Sequence, residues 1–234
     1  MRSSSSNDPV LLTGPVEDYL KTIYELEARS GAAATSEIAA RLSLTPASVT
    51  GMVRRLARQG LLTHEPYRGV RLTELGRRNA LRILRRHRIL ETYLSQVLGF
   101  PWDEVHEEAE RLEHAASDAL IERMAAALEH PESDPHGAPI PTADGKIDER
   151  SHIALSDLDV GESAVMVRVS DKNPSMLRYL AEIGLQPGVS LRLLERAPFD
   201  GPITVRIAGS ELAIGPSLAA QVLVVHADFD GEGN

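Results

Sequence analysis

The chain has 234 residues, no cysteine, 42% hydrophobic and 25% charged residues, and a formal net charge of −9. That composition indicates a folded globular protein, and the missing cysteine excludes disulfides, thiolate ligands and iron–sulfur clusters. No apolar run approaches the ~20 residues that span a bilayer, and no signal-like segment follows the opening Met-Arg-Ser-Ser-Ser-Ser, so no membrane partner and a cytoplasmic location are expected.

The charge is unevenly placed. Residues 1–90 carry 15 Lys and Arg against 8 Asp and Glu, a net +7, and the remainder is −16. A basic segment suits phosphate contact; the acidic remainder suits cation binding, or simple solubility.

Residues 1–14 read as a flexible tail, after which Pro15 can start a helix with Val16, Leu20, Ile23 and Leu26 at helical spacing. Gly31 ends that pattern, and Thr35 or Ser36 can cap a short helix holding Ile38, Ala39 and Leu42. A turn at Ser43 leads to a helix over 46–59, with Pro46 at its start and Gly60 past its end. This is helix-turn-helix spacing. Strand, turn and strand over 61–64, 65–69 and 70–73 then give a wing, so 15–76 reads as a winged helix-turn-helix.

A long Arg-rich helix is expected over 74–98. Gly99-Phe100-Pro101 breaks it, and Asp103 can cap a second long helix reaching Leu128, giving a helical domain over 77–141. Pro131, Pro135, Pro139 and Pro141, with Gly137 and Gly145, mark an irregular stretch over 131–150 that helix cannot cross, and 142–153 reads as the linker. Short β-rich runs at 164–169, 189–194, 203–207, 212–214 and 222–225, with one helix over 174–183, predict a small β-barrel domain over 154–228 before a tail at 229–234. The fold class is α+β.

On the helix after Asp103, His106, Glu110, Glu113 and His114 share an arc of roughly 100°. Val105, Ala109, Leu112, Ala116 and Leu120 fall on the adjoining stripe, so the four polar groups border the buried face. Imidazoles and carboxylates at such a border are costly to desolvate alone, and a divalent cation is a strong partner for them. A charge-rich amphipathic helix has the same pattern. His87 and Glu91, four residues apart, lie on the arc of Ile83, Leu94 and Leu98 and could form an internal hydrogen bond or complete a cation site. A shell of carboxylate and imidazole suits Mn(II) or Fe(II), with Zn(II), Co(II), Ni(II) and Cd(II) able to bind as well.

Thr45, Ala47, Ser48 and Thr50 cluster at the start of the 46–59 helix, the end that enters a major groove. Arg54, Arg55 and Arg58, with Arg68 and Arg71 on the wing, are placed for phosphates. A winged helix used for protein contact is the competing reading. A metallohydrolase would need an open coordination position beside a base, and no zinc-protease pattern of two His flanking a Glu occurs, so neither catalysis nor a small organic substrate is expected.

Four segments together resemble the diphtheria toxin repressor, iron-dependent regulator and manganese transport regulator family. They are the nine residues from Val16 to Tyr24, Arg86-His87-Arg88, the ten residues from Val105 to His114, and the eight from Asp134 to Pro141. The resemblance implies a homodimer, palindromic operator DNA, a metal-stabilised DNA-binding form and a C-terminal SH3-like, FeoA-like domain. It implies a primary metal site of Asp18, Glu110, Glu113 and His114, and an ancillary site of His87, Glu91 and His106 with Asp171 from the third domain. Asp18 enters only through the resemblance, because its helical position reads as an exposed acid. Iron-type members carry Met and Cys where this chain has Asp18 and Glu110, and manganese-type members carry carboxylates, which tilts the metal toward Mn(II) with Fe(II) as the alternative. Lys21 departs from the short manganese regulators, which have a further carboxylate there for a two-metal cluster. Gly51 departs from the polar residue of the recognition helix, which points to DNA shape as a source of specificity. The function implied is a metal-dependent repressor of metal-uptake genes; a metal-independent winged-helix regulator is the other reading.

Overall fold

A computed structural model describes residues 12–65, 68–148 and 150–227. The chain divides into two compact units, Met1–Arg85 with Ala143–Lys146, and Arg86–Thr142 with Ile147–Asn234. Of the two expected tails, residues 1–11 and 229–234 lie outside the described residues, as do Pro66 and Tyr67 of the wing turn.

In the first unit, α1 (Gly14–Ser30) has Pro15 in its first turn and ends on Gly31, whose φ of 76° lets its N–H reach the Glu27 carbonyl. The expected stripe of Val16, Leu20, Ile23 and Leu26 is buried, which by area contributes about 1.5–3 kcal/mol for each large side chain. Next come α2 (Thr35–Arg41) and α3 (Pro46–Arg58). Neither Thr35 nor Ser36 caps α2. Ala34 holds the cap position and the Glu37 carboxylate accepts from its N–H at 3.3 Å, so an acid three residues in satisfies the orphan donor instead. Thr45 caps α3, accepting from Ser48 N–H. Val49, Val53 and Leu56 are buried on the side of α3 that packs on α2, leaving the opposite face exposed. Strands β1 (Leu62–Glu65) and β2 (Gly69–Leu72) form the antiparallel wing hairpin, and Ala33 bridges to Val70 on its other edge.

The second unit begins within α4 (Glu74–Gln96). The single long helix expected after Asp103 is two helices, α5 (Val105–Leu112) and α6 (Asp118–Ala127). Ser117 caps α6 by accepting from Leu120 N–H at 3.2 Å, a start signal hidden inside an otherwise continuous apolar period. The break resets the buried face. Val105, Ala109 and Ala116 are buried as expected, but Leu112 and Leu120 are 41% and 43% exposed, and Ile121 and Ala125 fill the core beside Ile89, Leu90 and Leu94. Asp103 does not cap α5: Glu104 occupies that position without a side-chain bond, and Asp103 accepts from Arg178 at 2.9 Å.

The proline-rich stretch is tightly built over its first half. Asp134 Oδ1 accepts from the N–H groups of His136 and Ala138, both at 2.9 Å, closing a local turn. Gly137 has φ 84°, and a Cβ there would lie 1.8 Å from the Val167 carbonyl oxygen, so only glycine permits the close approach. His136 O accepts from Val169 N–H at 3.0 Å, which fastens the segment to the strand carrying both valines.

That strand, β4 (Ser163–Val169), belongs to an antiparallel six-stranded sheet in the order β3 (Ile153–Ala154), β8 (Val222–His226), β4, β5 (Ser190–Arg196), β6 (Ile203–Ile207), β7 (Ser210–Ile214). Irregularities at Met166/Arg168 and Leu193/Glu195 increase local bend and twist. α7 (Pro174–Glu182) and the short α8 (Pro216–Ala219) complete the fold, and Leu177, Leu180 and Ala219 join Met166, Leu193, Val205 and Val224 in one core. β3 and α8 carry too few residues for a periodic signal and were not expected from sequence. Among the described residues, no helix is long and apolar enough to cross a membrane.

Candidate metal centre and nucleic-acid interface

α4 presents His87 and Glu91 one turn apart, α5 presents His106, and the loop after β4 brings in Asp171. One ligand atom from each of the four lies within 4.8 Å of the others. His87 Nε2 is 3.0 Å from Glu91 Oε1 and 3.1 Å from His106 Nδ1; His106 Nδ1 is 3.2 Å from Glu91 Oε1 and 3.3 Å from Asp171 Oδ2. The two rings meet edge to face with centroids 4.9 Å apart.

Burial and charge decide the protonation of this group. Burial would raise the Glu91 carboxyl, but the positive field of His87 and hydrogen bonds from His106 and His87 hold it well below the usual carboxylate range. Burial would lower the His106 imidazole, yet hydrogen bonds to Asp171 and Glu91 push it up to about 10. Burial would raise the Asp171 carboxyl, but its hydrogen bond to His106 together with the positive fields of His106 and His87 lowers it. Without a metal, then, imidazole protons hold the carboxylates together. A divalent cation fits in their place: three elements supply hard oxygen and nitrogen donors at one point, and the fully buried Glu91 Oε2 has no hydrogen-bond partner among the described residues.

His87 also faces the other way. Its Nδ1 lies 2.6 Å from Glu113 Oε2 and 4.0 Å from Glu110 Oε1, and these three form a second convergent group. Glu113 is fully buried at the end of α5, whereas Glu110 is 39% exposed at its side chain. His114 Nε2 stands 3.7 Å from Glu113 Oε1 and is exposed at the break between α5 and α6. The periodic arc of His106, Glu110, Glu113 and His114 is thus divided around His87, with His106 on the side of Glu91 and Asp171. Asp18 is a half-buried residue of α1 in the first unit.

Sequence reasoning missed a third group. Glu91, Asp134 and His136 are all buried with ligand atoms mutually within 4.8 Å, and Asp134 Oδ2 and His136 Nδ1 have no hydrogen-bond partner among the described residues. Burial, and then the nearby Glu91 charge, raise Asp134 to about 6, against Arg88 and His136. The signal was present in the Asp-Pro-His triplet, but a proline-rich stretch has no periodicity from which to read a face.

In the first unit, the exposed side of α3 carries Thr45, Ala47, Ser48, Arg54, Arg55 and Arg58, with Thr50 half-buried. Thr45 and Ser48 hydroxyls are 2.9 Å apart, and Thr50 donates to the Pro46 carbonyl at 2.8 Å, which fixes the rotamers at the helix start. Arg54, Ala57 and Arg58 share an open pocket with His64 of β1. Arg68 and Arg71 are exposed on the wing.

Three family models match in series: an N-terminal DNA-binding domain of iron-dependent repressors over residues 11–70, their metal-binding and dimerisation domain over 73–142, and a FeoA domain over 153–226. The iron-dependent repressor IdeR of Mycobacterium tuberculosis is 33% identical over 226 residues, covering 92% of this chain and 97% of the relative. The diphtheria toxin repressor of Corynebacterium diphtheriae is 29% identical, covering 91% of this chain and 97% of its own. A solved manganese-dependent transcriptional repressor in complex with manganese is 41% identical with a TM-score of 0.84, covering 91% of this chain and all of that one.

Proposed function

Because the chain belongs to the family of the diphtheria toxin repressor and the iron-dependent and manganese-dependent regulators, and is a metal-dependent transcriptional repressor of that family, we propose that its activating metal is Mn(II). The observation that carries this reading is the donor set. His87, Glu91, His106 and Asp171 converge with a buried carboxylate oxygen lacking a partner, and every donor is a hard oxygen or an imidazole nitrogen. A 41% identical relative solved with manganese supports the same choice, and the iron-dependent relatives make Fe(II) the competing metal.

The ancillary site is His87, Glu91, His106 and Asp171, with Asp134 and His136 extending the shell behind Glu91. The primary site is Asp18, Glu110, Glu113 and His114. A bound cation supplies positive charge that the carboxylates otherwise obtain from imidazole protons. Glu113 holds His87 from one side and Glu91 from the other, fixing the imidazole that adjoins both sites. Asp18, on α1, is the ligand that the family resemblance adds to those of α5. The protein acts as a homodimer on palindromic operator DNA, with the α3 N-terminus in the major groove and Arg54, Arg55, Arg58 and Arg68 on phosphates. Metal promotes binding only by its higher affinity for the DNA-competent conformation. The regulated genes are those of metal uptake.

The test uses a duplex selected by the Mn(II)-loaded full-length protein from a pool with randomised palindromic half-sites. Mn(II), Fe(II) under anaerobic conditions and Zn(II) are titrated into wild type, Glu110→Ala and His114→Ala. Wild-type affinity rises with Mn(II), and both variants lose the response. Binding indifferent to metal and to both substitutions would overturn the proposal; a response to Fe(II) at lower free concentration than Mn(II), relative to their cellular availability, would transfer it to iron.

A further inference from the structure

Strand β2 is held on its outer edge by two different kinds of group. Val70 exchanges backbone hydrogen bonds with Ala33, each at 2.9 Å. Two residues on, Leu72 points its N–H to the same edge, as antiparallel alternation requires, but at Gly31 the neighbouring chain has already turned into α1. The Glu27 side chain takes the place of the missing strand: its Oε1 accepts from Leu72 N–H at 2.9 Å across 45 residues of sequence. Burial raises the Glu27 carboxyl, opposed by the Leu72 bond and by Arg77 and Arg71, so the acid is kept in a costly place. Close approach at the wing's base agrees. Gly69 has φ 86°, and a Cβ there would stand 2.9 Å from the Ala33 carbonyl oxygen.

Between the two anchors lies Arg71, exposed and opposite Thr63, while Val70 is buried. Fixing the backbone at Val70 and Leu72 fixes the direction in which Arg71 leaves the strand. We propose that Glu27 is a positioning residue for operator binding: its carboxylate clamps the wing to α1 through Leu72 and so sets where Arg71 meets the DNA backbone. This rests on the DNA-binding reading above. It also gives the helix that carries Asp18 a direct mechanical hold on the wing.

The experiment uses the full-length Mn(II)-loaded protein and the selected duplex with wild type, Glu27→Ala, Glu27→Gln, Arg71→Ala and the Glu27→Ala/Arg71→Ala pair. Glu27→Ala weakens binding about five- to tenfold, and no more than Arg71→Ala does, because only the phosphate contact of Arg71 is misplaced. Mn(II) affinity, read by electron paramagnetic resonance, does not change. Glu27→Gln keeps an acceptor for Leu72 and returns binding to within about twofold of wild type, which separates the clamp from the charge. The double variant is no weaker than Arg71→Ala, since Glu27 acts through the wing. Amide exchange at Leu72 quickens in Glu27→Ala and not in Glu27→Gln. Glu27→Ala equal to wild type, a Gln variant as weak as Ala, or additive single effects would each overturn the clamp. Wild-type binding that ignores metal would instead defeat the functional reading, so the two failures are distinct.

Discussion

Replacing Glu113 or Glu110 by alanine separates a metal ligand that also holds the metal-free fold from one that does so far less. Glu113 is fully buried with Oε2 2.6 Å from His87 Nδ1, and a hydrogen bond to a charged group contributes about 1.5–3 kcal/mol. For a chain of this size each kcal/mol moves the midpoint by ~2–4 °C, so metal-free Glu113→Ala melts about 3–12 °C below wild type. Glu110 is 39% exposed and sits 3.9–4.0 Å from the His106 and His87 rings, beyond hydrogen-bond reach; such a pair contributes at most about 1 kcal/mol. On these contacts, metal-free Glu110→Ala melts closer to wild type than Glu113→Ala does. Mn(II) at about a hundredfold over its dissociation constant stabilises wild type by about 2.7 kcal/mol, or about 5–11 °C, and both variants lose that increment. Trp102, the chain's single tryptophan, packs against the sheet core, so its fluorescence follows the second unit alone. The reasoning fails if Glu110→Ala keeps the whole Mn(II) increment, or if it melts as low as Glu113→Ala without metal.

In metal-free protein the His106 pKa of about 10 lies above its ordinary 6.5, so its stabilising contribution is complete below pH 6.5 and is lost as pH rises towards 10; melting against pH declines over that window, and His106→Gln flattens the decline. Mn(II) affinity moves the opposite way with pH, because the imidazole proton must leave before nitrogen can bind a cation. Gly137→Ala destabilises the second unit by about 1–3 kcal/mol, since both φ and the Val167 carbonyl oppose a Cβ; an unchanged Trp102 melting curve would contradict that packing. Arg54→Ala and Arg58→Ala each reduce the salt slope of operator binding by about one and weaken all duplex sequences alike, whereas a phosphate-independent role leaves the slope of binding against salt as in wild type.

Local chemistry made the helices of the first unit legible. Pro15, Pro46, Gly31 and Gly60 punctuate an apolar stripe of period 3.6, and each acts within a few residues of itself. The same holds for the longer strands of the third segment, whose boundaries fall within one or two residues of expectation. Periodicity misled where two helices share one apolar rhythm: Ser117 starts a new helix inside a pattern that reads as continuous, which exposes Leu112 and Leu120.

The sequence by itself determined which donors exist, that no thiolate is among them, and that His87 and Glu91 share a helix face, as do His106 and Glu110. Only tertiary structure decided which of them meet. His87 lies between Glu113 and Glu91, Asp171 arrives from a loop 65 residues beyond His106, and Asp134 with His136 closes behind Glu91 through a turn that Gly137 alone permits. Helical spacing relates residues within about a turn or two, whereas the approach of separate helices and loops is set by burial and by backbone contacts such as Val169 to His136, which no local pattern encodes.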